Sequence, residues 1–297
     1  DAVELYTSLV AHYQLADGSG TQAVDTSVYN NTAALNGDPA WVPADGALEL
    51  DGTGDYVTAP SGDQYDLDSE VTLAAWVKVA DPDENKYMRL VSRKTSWTST
   101  EGYELEYNPS LNRLTFGGKD RQQIAAFNVN LSSNWHHVAA TLTSVGNGKY
   151  RGRLYVDGAE RTTNITAWSA NPTTMSVDNF DQLVPNYNAL CVGANPSGGD
   201  AFNGQIRDVR LYRRALSSDE LFELGGSGLR LHLKLDETAG TLAADSSSFS
   251  FNATYEDNPL LAQEGIIGTA ITLDDGSDFD RVDVPAERRF TDFDNFK

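Results

Sequence analysis

Cysteine is almost absent from this chain: Cys191 is the only one in 297 residues, which excludes an intrachain disulfide. Set between Leu190 and Val192, it reads as a small core side chain. Basic residues are also few, 22 Lys and Arg against 43 Asp and Glu, so the chain carries a formal charge of −21. That balance argues against nucleic acid or an anionic membrane as partner. Asp leads the acids and Lys is rare among the bases, a surface like that of proteins from salt-loving organisms and also like that of many secreted proteins. No secretory signal is visible, and no apolar run is long enough to insert into a membrane. The chain opens on Asp1 rather than Met and closes on Phe290–Lys297, which reads as the entry to a further strand. The natural polypeptide is therefore expected to continue.

Helix signals are scarce too. Only Ser217–Leu224 carries them, where Ser217 and Glu220 form a capping box and Gly225 offers a stop. Strand signals dominate instead. Period-two alternation marks Val71–Val77, Tyr103–Tyr107, Arg113–Phe116, His137–Leu142 and Arg153–Val156, separated by Gly, Asn, Asp and Ser clusters. Many short strands with one short helix predict an all-β protein, a two-sheet antiparallel sandwich of the jelly-roll kind.

The chain begins the same pattern twice. Leu9-Val10-Ala11-His12-Tyr13-Gln14-Leu15 returns as Leu229-Arg230-Leu231-His232-Leu233-Lys234-Leu235, and Gly20, Asp25, Ser27, Ala33 and Pro39 recur as Gly240, Asp245, Ser247, Ala253 and Pro259. A repeat of that period marks a whole domain. The reading is a domain over 1–224, a Gly/Ser hinge over 225–228, and over 229–297 the opening part of a second, incomplete sandwich.

Several phrases in order resemble the laminin G-like, concanavalin A-like jelly-roll family. They are Leu9–Leu15 with Asp17–Gly20 and Asp25–Ser27, Leu48–Val57, Val71–Val77, Trp135–Ala139, Leu154–Gly158 and Gly204–Tyr212. The resemblance implies an extracellular or cell-surface module of a longer protein, binding a glycan or a surface protein and often holding a structural calcium ion. Calcium takes six to eight oxygen ligands, commonly Asp, Asn and turn carbonyls. The loop containing Asp25 and Asn30, together with Asp208, matches positions that hold one ion in relatives, and Asp51 and Gly52 lie in a neighbouring phrase. Alternatively, Asp25 caps its own turn and Asp208 alternates outward on a strand. Asp245 and Asp274 are the corresponding positions of the partial repeat.

For a glycan, the expected contacts are aromatic and polar loop residues, because sugar rings stack on flat apolar faces while their hydroxyls need hydrogen bonds. Trp97, Trp168 and Tyr187 fit, the latter two in the long irregular stretch from Ala167 to Ala189, and Arg93 and Arg121 are candidate donors, particularly for acidic sugars. The competing role for each aromatic is packing beneath its own loop. Trp76 and Trp135 are assigned to the core. Glu104, Glu106 and Asn108 share one strand face, a placement used by glucanases of this fold, but a solvated sheet face accounts for them and no enzyme is expected. Adjacent His136 and His137 point to opposite faces and cannot grip one ion. Asn30, Asn130, Asn164 and Asn252 open glycosylation sequons. Two other readings stand beside the lectin. One is a subunit of a filament, surface layer or virion self-assembling through residues 229–297; the other is a glycan-degrading enzyme using Glu104 and Glu106.

Overall fold

Alternation along the strands of the first unit puts one row of side chains between two sheets and the other row outside. The computed structural model describes residues 7–131, 134–161, 165–169 and 173–225, then 233, 235, 237–244, 253–256, 260–264, 269–272 and 281–283. Two units divide it, Asp1–Gly225 and Gly226–Lys297.

In chain order the first unit begins with β1 (Leu9–Tyr13), β2 (Gln22–Ala23), β3 (Ala33–Asn36), β4 (Ala40–Val42), β5 (Ala47–Asp51) and β6 (Tyr56–Thr58). It continues through β7 (Val71–Val79), β8 (Met88–Ser92), β9 (Glu104–Asn108), β10 (Arg113–Gly117), β11 (Gln123–Ala126), β12 (His136–Gly146) and β13 (Lys149–Val156). β14 (Ala159–Glu160), β15 (Ile165–Ser169), β16 (Thr173–Met175), β17 (Phe180–Asp181), β18 (Cys191–Val192), β19 (Asn203–Tyr212) and helix α1 (Ser218–Gly225) complete it. The stretch from Ala167 to Ala189, expected to be irregular, therefore contributes short strands.

One sheet runs β14-β13-β12-β7-β19-β5-β4, with β1 added on β19 and β17 on β13. The other runs β16-β15-β11-β10-β9-β8-β18-β6-β3-β2, and every pairing is antiparallel. Between them lies the main core, with Val10, Tyr13, Leu50, Leu73 and Val77 facing Leu105, Tyr107, Leu114 and Phe116. Buried tyrosines keep their hydroxyls bonded: Tyr107 donates to the Val129 carbonyl at 2.8 Å and Tyr103 to that of Tyr65 at 3.0 Å. A smaller cluster of Leu9, Ala74, Ala139, Tyr155, Tyr212, Leu216 and Leu221 lies on the outer face of the first sheet, under α1. The capping box is present: the Glu220 N–H donates to Ser217 Oγ at 3.2 Å, and the Ser217 N–H to Glu220 Oε2 at 2.8 Å. Trp76 and Trp135, expected in the core, are half-buried on the outer face, where the Arg207 guanidinium lies 5.7 Å and 4.2 Å from their ring centroids. Strand alternation gives the face of a tryptophan but not what lies over it.

The second unit repeats the first one's opening in structure. Its strands are β20 (Leu242–Ala243), β21 (Ala253–Glu256), β22 (Leu260–Glu264), β23 (Thr269–Thr272) and β24 (Arg281–Asp283). Leu242 pairs with Thr254 as Gln22 pairs with Ala34, and β21–β24 and β22–β23 reproduce β3–β6 and β4–β5. Leu15 and Leu235 both take the left-handed backbone conformation, φ 57° and 56°. His232, Asp245, Asp274, Asn164, Asn252 and the tail after Asp283 lie outside the described residues.

Candidate functional site

The polar face of β9 is buried, contrary to the solvated sheet face expected for it: Glu104, Glu106 and Asn108 are at most 2% exposed. Arg89 on β8 explains how carboxylates survive there. Its Nε lies 3.2 Å from Glu104 Oε2, its Nη2 3.2 Å from Asp200 Oδ2, and its Nη1 contacts Glu106 Oε2. Register places Arg89 directly opposite Glu106, while the Arg89 N–H donates to the Asp200 carbonyl at 2.8 Å and brings in the loop before β19. Buried charges persist only when paired in this way. The pairing is one of charge more than alignment, because Arg89 Nε and Nη1 and both Glu104 oxygens lack full hydrogen-bond geometry. Gly117 makes room for Glu104, since a Cβ there would fall 2.6 Å from Glu104 Oε1.

Above this cluster a cavity of about 390 Å³ opens on the face of the second sheet turned away from the core, lined by Tyr87, Arg89, Trp97, Glu106, Arg113, Gln123 and Asp200. Arg113 stacks over Tyr87 at 4.7 Å from the ring centroid and contacts its hydroxyl. Arg121 stacks over Trp97 at 5.1 Å. Two aromatic rings, an amide, carboxylates and guanidiniums thus converge on a space of the size that holds a small ligand.

Of the five expected ligand contacts, Trp97 lines this cavity, 45% exposed, and Arg121 packs on its ring. β15 puts Trp168 in register opposite the cavity residue Gln123. Tyr187 is 94% exposed on the loop before β18 and does not line the cavity. Arg93 is no ligand donor. It is buried, with Nη1 2.6 Å from Asp66 Oδ1 and further donations to the carbonyls of Asn186 and Asn188. Sequence reasoning missed Tyr87, Arg89, Arg113, Gln123 and Asp200; the alternating face of β9 was the available signal, but its partners come from distant segments.

The calcium residues do not assemble into one cage. Asp25 accepts four hydrogen bonds of 2.9 Å, from the N–H groups of His12, Ser27 and Asn31 and the Ser27 hydroxyl. Asp208 Oδ1 is taken by His12 Nε2 at 2.7 Å and Arg210 Nε at 2.8 Å, and a guanidinium in that position opposes a divalent cation. Asp51 and Gly52 belong to the other end of β19: Asp51 pairs with Asn203, five positions from Asp208 and roughly 17 Å along the strand. Asn30 is exposed, its N–H bonded to the Ser27 carbonyl, and Asn130 is exposed as well. Among the described residues no three His, Cys, Asp or Glu side chains converge on a metal position.

His12 ties the first loop to the last strand, with Nδ1 2.8 Å from Thr26 Oγ1 and Nε2 2.7 Å from Asp208 Oδ1. Burial raises the Asp208 carboxyl, but the hydrogen bonds and charges of His12 and Arg210 outweigh it and hold the group at about 2. Asp25→Ala is therefore expected to lower stability by about 2 kcal/mol through lost hydrogen bonds to a carboxylate. Thermal denaturation of wild type and variant checks this; a variant that melts with the wild type would overturn it.

His136 and His137 point apart as expected. His136 Nδ1 lies 2.8 Å from Asp157 Oδ2, while His137 is buried beside Trp76, and burial pulls its imidazole down to about 4.

The model of a family described as the concanavalin A-like lectin/glucanases superfamily matches residues 51–222. Among solved structures, the binding domain of Paraclostridial Mosquitocidal Protein 1 superposes with a TM-score of 0.53 at 15% identity, over 94% of this chain and 70% of that one. The binding domain of botulinum neurotoxin DC, in complex with SialylT, gives 0.51 at 14% identity over 78% of this chain; the chain spans 54% of that domain. Domain 4 of the extracellular arabinanase AbnA from Geobacillus stearothermophilus, in complex with arabinotriose, gives 0.48 at 18%, over 73% and 98%. No curated protein sequence matches the chain. At these identities the structural likeness concerns the fold alone.

Proposed function

Because the chain belongs to the concanavalin A-like lectin/glucanases superfamily, we propose that its first unit is a non-catalytic carbohydrate-binding module of an extracellular protein, with the β8–β11 cavity as its sugar site. The observation that carries this reading is the convergence of Tyr87 and Trp97 with Arg89, Glu106, Arg113, Gln123 and Asp200 on one cavity. Flat rings take the apolar faces of a pyranose or furanose, and the charged and amide groups satisfy its hydroxyls. The carboxylates support binding more than hydrolysis. Glu104 lies outside the cavity lining, and Glu104 and Glu106 share one guanidinium, whereas glycosidic cleavage needs one carboxyl held protonated beside an ionised one.

Screening the chain on a broad glycan array, then titrating hits by calorimetry, tests the proposal. Trp97→Ala and Tyr87→Ala are each expected to weaken binding by about tenfold or more, roughly 1.4 kcal/mol. Tyr187→Ala, outside the cavity, is expected to leave affinity unchanged. No hit on the array, or equal affinity in all three variants, sinks the assignment.

A further inference from the structure

Lys94 is fully buried, yet its side chain makes no ion pair within 4 Å among the described residues. Its Nζ donates to three backbone carbonyls, those of Gly118 at 2.6 Å and of Trp97 and Asp120 at 3.3 Å. The first and third lie in the turn between β10 and β11, and the second belongs to the loop after β8. An ammonium has three protons to give, and all three go to loop main chain. The two segments it joins are the ones that present Trp97 and Arg121, whose side chains stack on each other. One additional bond links them directly, from the Asp120 N–H to the Thr100 carbonyl at 3.4 Å.

We propose that Lys94 is the positioning residue of the cavity rim, clamping the Trp97 loop to the β10–β11 turn and so fixing the aromatic wall on which a sugar would stack. The inference rests on the proposed sugar site for its biological meaning, but the clamp itself is testable without any ligand. Burial lowers the Lys94 ammonium below the ordinary lysine range, with Glu104 and Asp120 raising it and Arg89 lowering it further. Deprotonation removes the charge that strengthens its bonds to the carbonyls. Buried phenols do not obscure this titration, because Tyr13, Tyr65, Tyr103 and Tyr107 are all raised by burial.

Tryptophan emission and acrylamide quenching are measured on wild type, Lys94→Met and Trp97→Phe, the last identifying the share of the signal that belongs to Trp97. Lys94→Met is expected to red-shift that share and increase its quenching. Wild type should show the same change as pH is raised toward the usual lysine range, and Lys94→Met should not. The pH titration needs no substitution, so it remains informative if Lys94→Met folds poorly. With an array hit as probe, Lys94→Met is expected to bind about tenfold more weakly. Trp97 emission that ignores both the substitution and the pH overturns the clamp; a clamp that registers optically with no glycan bound overturns the sugar site alone.

Discussion

Arg89→Ala is expected to destabilise the first unit by about 3–5 kcal/mol, the cost of leaving buried carboxylates without their cation. Glu104 and Glu106 have side-chain exposures of 0% and 3%, so water cannot replace the guanidinium without opening the sheet face. Against a total stability of about 5–15 kcal/mol, a loss of that size brings a single substitution close to unfolding. Denaturant titration of wild type and variant measures it. Replacing the whole cluster together, by Arg89→Met with Glu104→Leu and Glu106→Leu, is expected to recover most of the loss, because the penalty arises from unpaired charge and not from missing volume. A single variant within about 1 kcal/mol of wild type would mean that the carboxylates are solvated, as their strand pattern alone suggests.

Lowering the pH from 7 to 4 is expected to remove about 3 kcal/mol of stability through His137 alone. Burial is the main cause of its depressed value of about 4, against 6.5 in the unfolded chain; Asp208 and Asp157 oppose the shift and Arg210 adds to it. Because the folded group binds its proton later than the unfolded one, its contribution is complete above pH 6.5 and is lost progressively down to about 4. The ring has no means of accepting that proton comfortably. Nδ1 is buried without a hydrogen-bond partner among the described residues, closed in by the backbone of Gly225 at the end of α1. Asp208, held at about 2, acts in a separate and lower window, its contribution falling below about 3.8 as pH drops toward 2. The difference between wild type and His137→Phe isolates the histidine, and a variant whose stability falls as steeply between pH 6.5 and 4 would place the acid sensitivity elsewhere.

The strands and the repeat were legible because both are periodic signals. Alternation identified Leu105 and Tyr107 as core and Glu104 and Glu106 as their opposite face, and the offset between Leu15 and Leu235 extends to backbone conformation. What alternation cannot show is which distant segments cover a face. Asp200 is 94 positions from Glu106, and Arg89 comes from a strand whose own register shifts between Arg89 and Val91, so neither partner announces itself locally. The same limit explains Arg93, an apparent ligand donor whose carbonyl acceptors lie on a loop near residue 187. Asp25 was legible as a turn cap as readily as a cation ligand, and the four hydrogen bonds it accepts match the first of these roles. His12 is the repeat equivalent of His232, and in the first unit its bonds to Thr26 and Asp208 give it a role in the fold.

The lone thiol has a practical consequence for anyone following these loops in solution. Cys191 is 1% exposed, and burial pushes its thiol up to about 11, so at neutral pH it presents almost no thiolate to an alkylating reagent. A cysteine introduced at the 94% exposed Tyr187 would then react alone. The chain is in effect already prepared for site-selective attachment of a spin label or dye, with no native sulfur to remove.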